Sequence, residues 1–532
     1  LGATYYEAGQ YEKAAPYFRR SVDMLEKLRL TAPGAIRRDY LDKQIHNYQW
    51  LITTYYKIDL LPEAFGIIEQ SSAKYLLEQL GESTVSWEPQ DLSTHMDGMG
   101  ENEVVITFTN SRWPGPLRFV LNREYIHGAE LPKKSLVATI YQDYERDIMR
   151  KTELGEGELP IAPEGLEKST AHSIILEKKF EAVLSYYRYL LSKPILLRRE
   201  AEAVEAIGKN LYLYLFGETE DMLKGVKKIT IIPDGMLALI PMETLITPAG
   251  KYLAELYDIS YVQSLSVLKA IEKRNYPKER KPLLAFGGAV YNPISYEEDM
   301  ASTEEQYKKL AGKIEMISSQ GGSLRSAYGS LGYGEITNLP GSLAEVRAIK
   351  EIIPGADLYV GETVSETTVK ELSNSGKLKG YEVLHFAVHG VVVPEVPELS
   401  AIILSQNKED QDETDTSGED GFLSVKERTA LSLQADFVNL SACETGLGKI
   451  YGGEGVVGLT QSFLVAGAKG LSVSLWKVSD DATRDFMTGM YSLVVNEGMT
   501  FAEAIAEMKR VFIGDPRRRR PFFWAPFVFY GQ

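Results

Sequence analysis

The stretch ADFVNLSACETGLGK, residues 435–449, holds the only cysteine of a 532-residue chain, and the fold is read outward from it. Its first half, "DFVNLSA", is a short and nearly continuous apolar run, the pattern of a strand buried on both faces. Its second half offers two incompatible chemistries: a strand-end thiol at Cys443, or a phosphate loop of which "GLGK" is the tail. Counting separates them. A Walker A loop needs a glycine five residues before the glycine that precedes its lysine, and Ser or Thr after that lysine, because backbone amides cradle the phosphates and the hydroxyl reaches magnesium. Counting back from Gly448 reaches Cys443, and Ile450 follows Lys449, so both requirements fail.

On either side of this stretch, apolar strands alternate with amphipathic helices. The strands are "LLAFGGA", "ADLYVG", "EVLHFAV", "DFVNLSA" and "GLSVSLW"; the helices are "SLAEVRAIKEII", "ETTVKELS", "GEGVVGLTQSFLVAGA" and "DDATRDFMTGMYSLVV". Such alternation predicts an α/β fold, a mostly parallel sheet flanked by helices. Ligands of these sheets bind beyond the carboxyl ends of the strands. Attention therefore falls on the residues just past each strand: His389 and Gly390, then Cys443, then "KVSDD" with Asp480 and Asp481.

His389 and Cys443 each end a predicted strand and stand 54 residues apart, histidine first. If the strands are neighbours, both side chains emerge at one edge of the sheet. A thiol becomes an effective nucleophile when an adjacent imidazole takes its proton, so these two residues suffice for acyl transfer. The amide of Gly390, unobstructed by a side chain, can join that of Cys443 in an oxyanion hole. The spacing matches the histidine-first order of caspase-type peptidases and not the cysteine-first order of papain-type ones. A free cysteine is commonly a small buried hydrophobe; the strand-end His-Gly at this distance favours the nucleophile. His385 is expected to be a core histidine, and the second His-Gly, at His127 and Gly128, to be a chance dipeptide.

Composition narrows the remaining classes. A formal charge of −16 argues against general nucleic-acid binding, which needs basic surface to displace counterions. With 44% hydrophobic residues, a mean hydropathy of −0.18 and no apolar run near membrane-spanning length, no membrane segment is expected. A single cysteine forbids an internal disulfide and fits a reducing compartment, so the cytoplasm is the expected location. The histidines and cysteine show no metal-ligand grouping, and "GGAVYN" lacks the full dinucleotide pattern, so no metal or cofactor is expected. The acidic stretch at 407–420 reads as a solvated excursion and the run Arg517–Arg520 as a solvated basic loop.

The opening residues follow a different rule. Leu1, Gly2, Tyr5, Gly9, Tyr11, Ala14, Phe18 and Ser21 take the spacings of a tetratricopeptide helix pair, and Leu51, Ile52, Tyr55, Leu61, Ala64, Ile68 and Ser71 repeat them about fifty residues on. Because the chain opens inside a repeat unit, residues upstream of Leu1 are expected. From about residue 86 short strands replace the repeats, and "KKITIIPDGMLALIPMETL" reads as a buried strand ending in a Pro-Asp-Gly turn.

Taken together, "EVLHFAVHG", "FVNLSACETGLG", "GGEGVVGLTQSFLVAGAKGLSVSLWKVSDDAT" and the closing "FFWAPFVFYG" resemble the CHAT domain, a caspase-like and separase-like group of cysteine peptidases often fused to tetratricopeptide repeats. "IIPDGMLALIPMETL" resembles the block upstream of the CHAT core. The resemblance implies repeats at 1–85, an intermediate α/β (pseudo-caspase) region at 86–280 and a caspase-like peptidase domain at 281–532. It implies that His389 is the general base and Cys443 the nucleophile, with the amides of Gly390 and Cys443 as oxyanion donors. Asp480 matches a separase position in the S1 pocket, where a carboxylate favours Arg or Lys at P1. The competing reading makes Asp480 the N-cap of the helix "DDATRDF", and Asp481 can fill either role. The implied function is cleavage of a specific protein partner, switched on by a regulatory protein bound to the repeats. Bacterial defence is the implied setting, with an RNA-guided CRISPR effector or a gasdermin-like pore former as partner. The alternative is a repeat scaffold with a degenerate peptidase domain.

Overall fold

A computed structural model describes residues 1–29, 34–81, 89–109, 115–132, 168–291, 328, 336–392, 400–406, 420–441, 448–451 and 455–531. The chain divides into two compact units, Leu1–Leu268 with Ile450–Gly455, and Lys269–Lys449 with Val456–Gln532.

The first unit opens with four helices, α1 (Gly2–Glu7), α2 (Tyr11–Arg29), α3 (Gly34–Lys57) and α4 (Leu61–Ser71). The turn from α1 to α2 recurs, fifty positions on, between α3 and α4. In the first, the amides of Gly9 and Gln10 donate to the carbonyls of Tyr6 and Tyr5, both at 2.9 Å. In the second, those of Asp59 and Leu60 donate to Tyr56 and Tyr55 at 3.2 and 2.9 Å. This is the Schellman closure, whose pivot residue must be left-handed, and Gly9 and Asp59 have φ of 71° and 59°. Aspartate can take the glycine's place because its short polar side chain tolerates that conformation. The fifty-residue spacing exceeds a standard repeat because α3 is 24 residues long. Ala14, Phe18, Ala64 and Ile68, at the repeat-defining positions, are buried in one apolar cluster.

That cluster continues into a sheet of β1 (Glu103–Thr109), β2 (Leu117–Leu121), β3 (Ile126–Glu130), β4 (Lys228–Ile232) and β5 (Asp258–Tyr261), in the order β3-β2-β1-β4-β5. β1, β2 and β3 are antiparallel, whereas β4 lies parallel to both β1 and β5. The α/β character expected of this region is present. Glu69 of α4, fully buried, ties the repeats to it: its carboxylate accepts the amides of Leu265 and Ser266 at 3.0 and 2.9 Å and the Ser266 hydroxyl at 2.8 Å. These are orphan donors at the start of helix Leu265–Glu272, within which the chain passes from the first unit to the second. Burial pushes the Glu69 carboxyl up from its usual range, and the three donors oppose that shift.

In the second unit six strands run β16-β15-β12-β8-β6-β7: β6 (Lys281–Gly287), β7 (Asp357–Val360), β8 (Tyr381–Ala387), β12 (Ala435–Leu440), β15 (Ala468–Ser474) and β16 (Phe527–Tyr530). All pair in parallel except β16, which is antiparallel to β15. The five strands expected from sequence are thus neighbours in one mostly parallel sheet. Their inner faces are apolar, with Phe286 and Phe386 stacked at 4.8 Å between ring centres. A small antiparallel sheet joins β9 (His389–Val391), β10 (Ala401–Ile403) and β11 (Phe422–Ser424).

Two details differ from expectation. The helix read from Gly453 begins at Leu459, because Gly455–Gly458 is extended as β14, paired with β13 (Gly448–Tyr451); the glycines and paired valines disfavour helix there. His389 does not end β8; the strand stops at Ala387, and His389 opens β9. The acidic excursion lies outside the described residues except for Asp420, which is buried. There Glu366 Oε2 accepts the amides of Asp420 and Gly421, both at 3.0 Å.

Replacing Glu69 by alanine leaves two buried amides without an acceptor, and an unsatisfied buried donor costs about 1–3 kcal/mol. We expect a loss of that order in chemical denaturation, and a smaller loss for Glu69→Gln. An unchanged midpoint for Glu69→Ala contradicts the capping role.

Candidate functional site

Parallel pairing sets the geometry of the candidate site. β8 and β12 are direct neighbours, with Asn439 opposite His385 and Leu440 opposite Phe386, an offset of 54 residues. That offset equals the spacing between His389 and Cys443, so the chain leaves both strands at the same edge of the sheet. Cys443 itself falls among residues 442–447, outside the described set.

His389 is half-buried just past β8. Its Nε2 lies 2.8 Å from the carbonyl of Thr337, its ring stands edge-on to Tyr291 at 4.9 Å between centres, and its amide donates to the Tyr291 hydroxyl at 3.1 Å. A carbonyl only accepts, so this contact places the imidazole proton on Nε2 and leaves Nδ1 with its lone pair. Burial lowers the His389 pKa from its ordinary value and Lys477 lowers it further, while the Thr337 carbonyl and Asp480 act in the opposite sense. Gly390 follows in β9, opposite Ile402 of β10.

Asp480 and Asp481 part company. Asp481 is 83% exposed and pairs with Arg484 at 3.0 Å. Asp480 is not the N-cap of its own helix, Asp480–Glu497, which begins after Ser479 with no side-chain cap. Instead its carboxylate turns across and accepts the amide of Gly341 at 3.2 Å, near the start of helix Pro340–Ile352. Two helix beginnings therefore share one carboxylate, a favourable location for negative charge. Gly341 permits the approach: a Cβ there would stand 2.3 Å from the Asp480 Cβ.

Asp480 faces a small open cleft at the carboxyl ends of the strands, with Gly341, Glu345, Ser441, Ser474 and Trp476 among its lining. Ser441 stands two residues before Cys443. Sequence reading missed Gly341, Glu345 and Thr337. For Glu345 a signal existed: Ser342, Glu345, Val346 and Ile349 form the buried face of their helix, so a carboxylate occupies a core register. For Thr337 none did, because only its backbone is used.

His385 is fully buried, as expected of a core histidine. His127 and Gly128 lie in β3, where Gly128 leaves room for Phe119, Leu61 and Tyr56, each 3.1 Å from where a Cβ would be. In the basic run Arg518 pairs with Asp485, and Arg517 is 87% exposed. Among the described residues there is no cluster of three or more His, Cys, Asp or Glu that could hold a metal, and no helix is long and apolar enough to cross a membrane.

The family model described as "CHAT domain" matches residues 205–532, and the chain belongs to that family. Two curated relatives are tetratricopeptide repeat protein 28 of Homo sapiens, 33% identical over 102 residues, and of Mus musculus, 31% over 102. Each match covers 19% of this chain and about 4% of the relative. Among solved structures, separase from the Saccharomyces cerevisiae separase–securin complex aligns over 98% of this chain and 37% of its own, with 12% identity and a TM-score of 0.48. The Arg-specific cysteine proteinase gingipain R of Porphyromonas gingivalis aligns over 67% and 75%, with 11% identity and a TM-score of 0.36.

The surroundings of His389 make its titration a direct check. Its midpoint, followed by NMR, is expected below the ordinary value of about 6.5. Lys477→Met removes a repelling cation and raises the midpoint; Asp480→Asn removes an attracting anion and lowers it. A midpoint at or above the ordinary value, or the opposite ordering of the variants, contradicts the geometry.

Proposed function

We propose that this chain is a cysteine endopeptidase that cuts a specific protein partner with a His389–Cys443 pair. The observation that carries the reading is the parallel register of β8 and β12, whose offset equals the spacing of the two residues. With its Nε2 proton directed at Thr337, His389 offers Nδ1 as the base. The thiol proton passes to Nδ1 and the thiolate attacks the scissile carbonyl, while the amides of Gly390 and Cys443 receive the oxyanion. Collapse returns the proton to the departing amine and leaves a thioester. Water, deprotonated by the same imidazole, then releases the acid and restores the thiol.

Asp480 gives the cleft a carboxylate suited to a basic P1 side chain, and Asp481, exposed and paired with Arg484, stands at the rim of that reading. The division of labour proposed is repeats at 1–85, an intermediate region at 86–280 and the peptidase at 281–532. The repeats bind a regulatory protein that releases activity. Glu69, joining α4 to the start of the Leu265 helix, is a contact through which such binding can be felt. By family resemblance the setting is the bacterial cytoplasm in defence, the regulator an RNA-guided CRISPR effector and the target a protein such as a gasdermin-like pore former.

Purified protein given its activator is expected to cleave its partner, and Cys443→Ala or His389→Ala to lower the rate by ~10²- to 10⁴-fold. Processing that is indifferent to both substitutions rejects the peptidase and leaves the scaffold. In a peptide library, cleavage should concentrate after Arg and Lys, and Asp480→Asn should flatten that preference while neutral P1 residues are cut as before.

A further inference from the structure

We propose that Tyr291 and Asn338 are positioning residues for His389, closing a circuit of contacts that holds its imidazole in one orientation and one tautomer. The inference rests on the peptidase reading for what that orientation serves, and on the geometry around His389 for its physical content.

A histidine ring does not choose its own direction. Its second torsion is broad and roughly two-fold, so neighbours decide which nitrogen faces which way. Around His389 that decision is made by a closed path. The ring Nε2 donates to the Thr337 carbonyl at 2.8 Å. The next residue is Asn338, whose Oδ1 accepts the amide of Tyr291 at 2.9 Å. Facing an N–H, the carboxamide must present its oxygen, because its nitrogen only donates. Tyr291 then reaches back: its hydroxyl accepts the His389 amide at 3.1 Å, and its ring stands edge-on to the imidazole at 4.9 Å between centres. The path leaves His389 by its ring and returns to its backbone, so the imidazole is held against its own main chain.

Both ends of this path are themselves tied down. Tyr291 is only 5% exposed, and its hydroxyl also donates to the carbonyl of Ile403 at 3.2 Å. A hydroxyl can donate and accept at once, which phenylalanine cannot imitate. Ile403 of β10 lies opposite His389 of β9, so one oxygen joins the two strands where β9 begins, one residue before Gly390. The stretch leading into Tyr291 is stitched on two sides. The Gly288 amide donates to Ser342 Oγ and the Val290 amide to Ser405 Oγ, both at 2.9 Å, while the Val290 carbonyl accepts the amide of Gln406 at 3.0 Å. A shift of Tyr291 would strain bonds to the Pro340 helix and to the end of β10 together.

The chemistry needs this restraint because a neutral imidazole has one accepting nitrogen. With the circuit closed, that nitrogen is Nδ1. With it open, the ring can turn and exchange tautomers, and the lone pair leaves the place where a thiol proton is to be received. A misplacement of about 1 Å can cost ~10²-fold in rate.

Two measurements on the full chain test the circuit. In nitrogen NMR spectra of labelled histidine, recorded above the His389 midpoint, wild type is expected to show His389 as the Nε2–H tautomer alone. Tyr291→Phe and Asn338→Ala should mix in the Nδ1–H form, whereas Asn338→Asp, which keeps the accepting oxygen, should retain the wild-type pattern. A wild-type tautomer in both Tyr291→Phe and Asn338→Ala overturns the proposal. The second measurement uses iodoacetamide, which labels Cys443 alone because the chain has one cysteine. His389→Ala should slow that alkylation by about tenfold at neutral pH. Tyr291→Phe and Asn338→Ala should show most of the same loss, and Asn338→Asp little of it. Wild-type rates in Tyr291→Phe and Asn338→Ala beside a slowed His389→Ala also overturn the proposal. If His389→Ala itself reacts like wild type, the His389–Cys443 pair falls, and the spectra decide the circuit on their own.

Discussion

The pairing of β8 with β12 is the constraint on which the second unit depends. Parallel strands share a direction, so their carboxyl ends lie at one edge, and the offset of the pair decides which residues meet there. A slip of one residue would turn every side chain of a strand to the opposite face. Register in this pair is held by apolar burial, with Val383, Leu384 and Phe386 on one strand and Phe437, Val438 and Leu440 on the other all within the core. Placement of the polar groups at the edge is thus a by-product of hydrophobic packing several residues away.

Much of this was legible in the sequence, for a physical reason. A buried parallel strand must be apolar along its length, so the five parallel strands of the second unit's main sheet announced themselves as runs, and the repeat turns by their fifty-residue echo. What the sequence did not display were relations between segments distant along the chain. Of the two readings of Asp480, as an S1 carboxylate or as the cap of the helix that follows it, the second comes from local rules that know only neighbours; the amide it accepts, that of Gly341, is 139 positions away. His389 reads as the last residue of a strand, yet it begins another, since β9 draws its pairing from β10. Glu345 could have been singled out by its register on an apolar helix face, but the histidine that explains it lies in β8.

The two units also differ in how they meet their polar obligations. In the first, Glu69 is saturated: three donors converge on it and tie together two segments nearly 200 residues apart. In the second, Glu345 is buried to a similar degree and faces one side chain, with the His385 Nε2 2.9 Å from its Oε1. The saturated carboxylate is a fastener.

The contact between Gly341 and Asp480 also bears on descent. Since no side chain fits at 341 while the carboxylate holds its present course, the two positions form one heritable unit. A lineage that exchanges the glycine must redirect or discard the aspartate, and with it the charge that the cleft presents. Change in the charge of this cleft is therefore channelled through paired changes in two helix beginnings, and it can proceed without disturbing the strands of the main sheet.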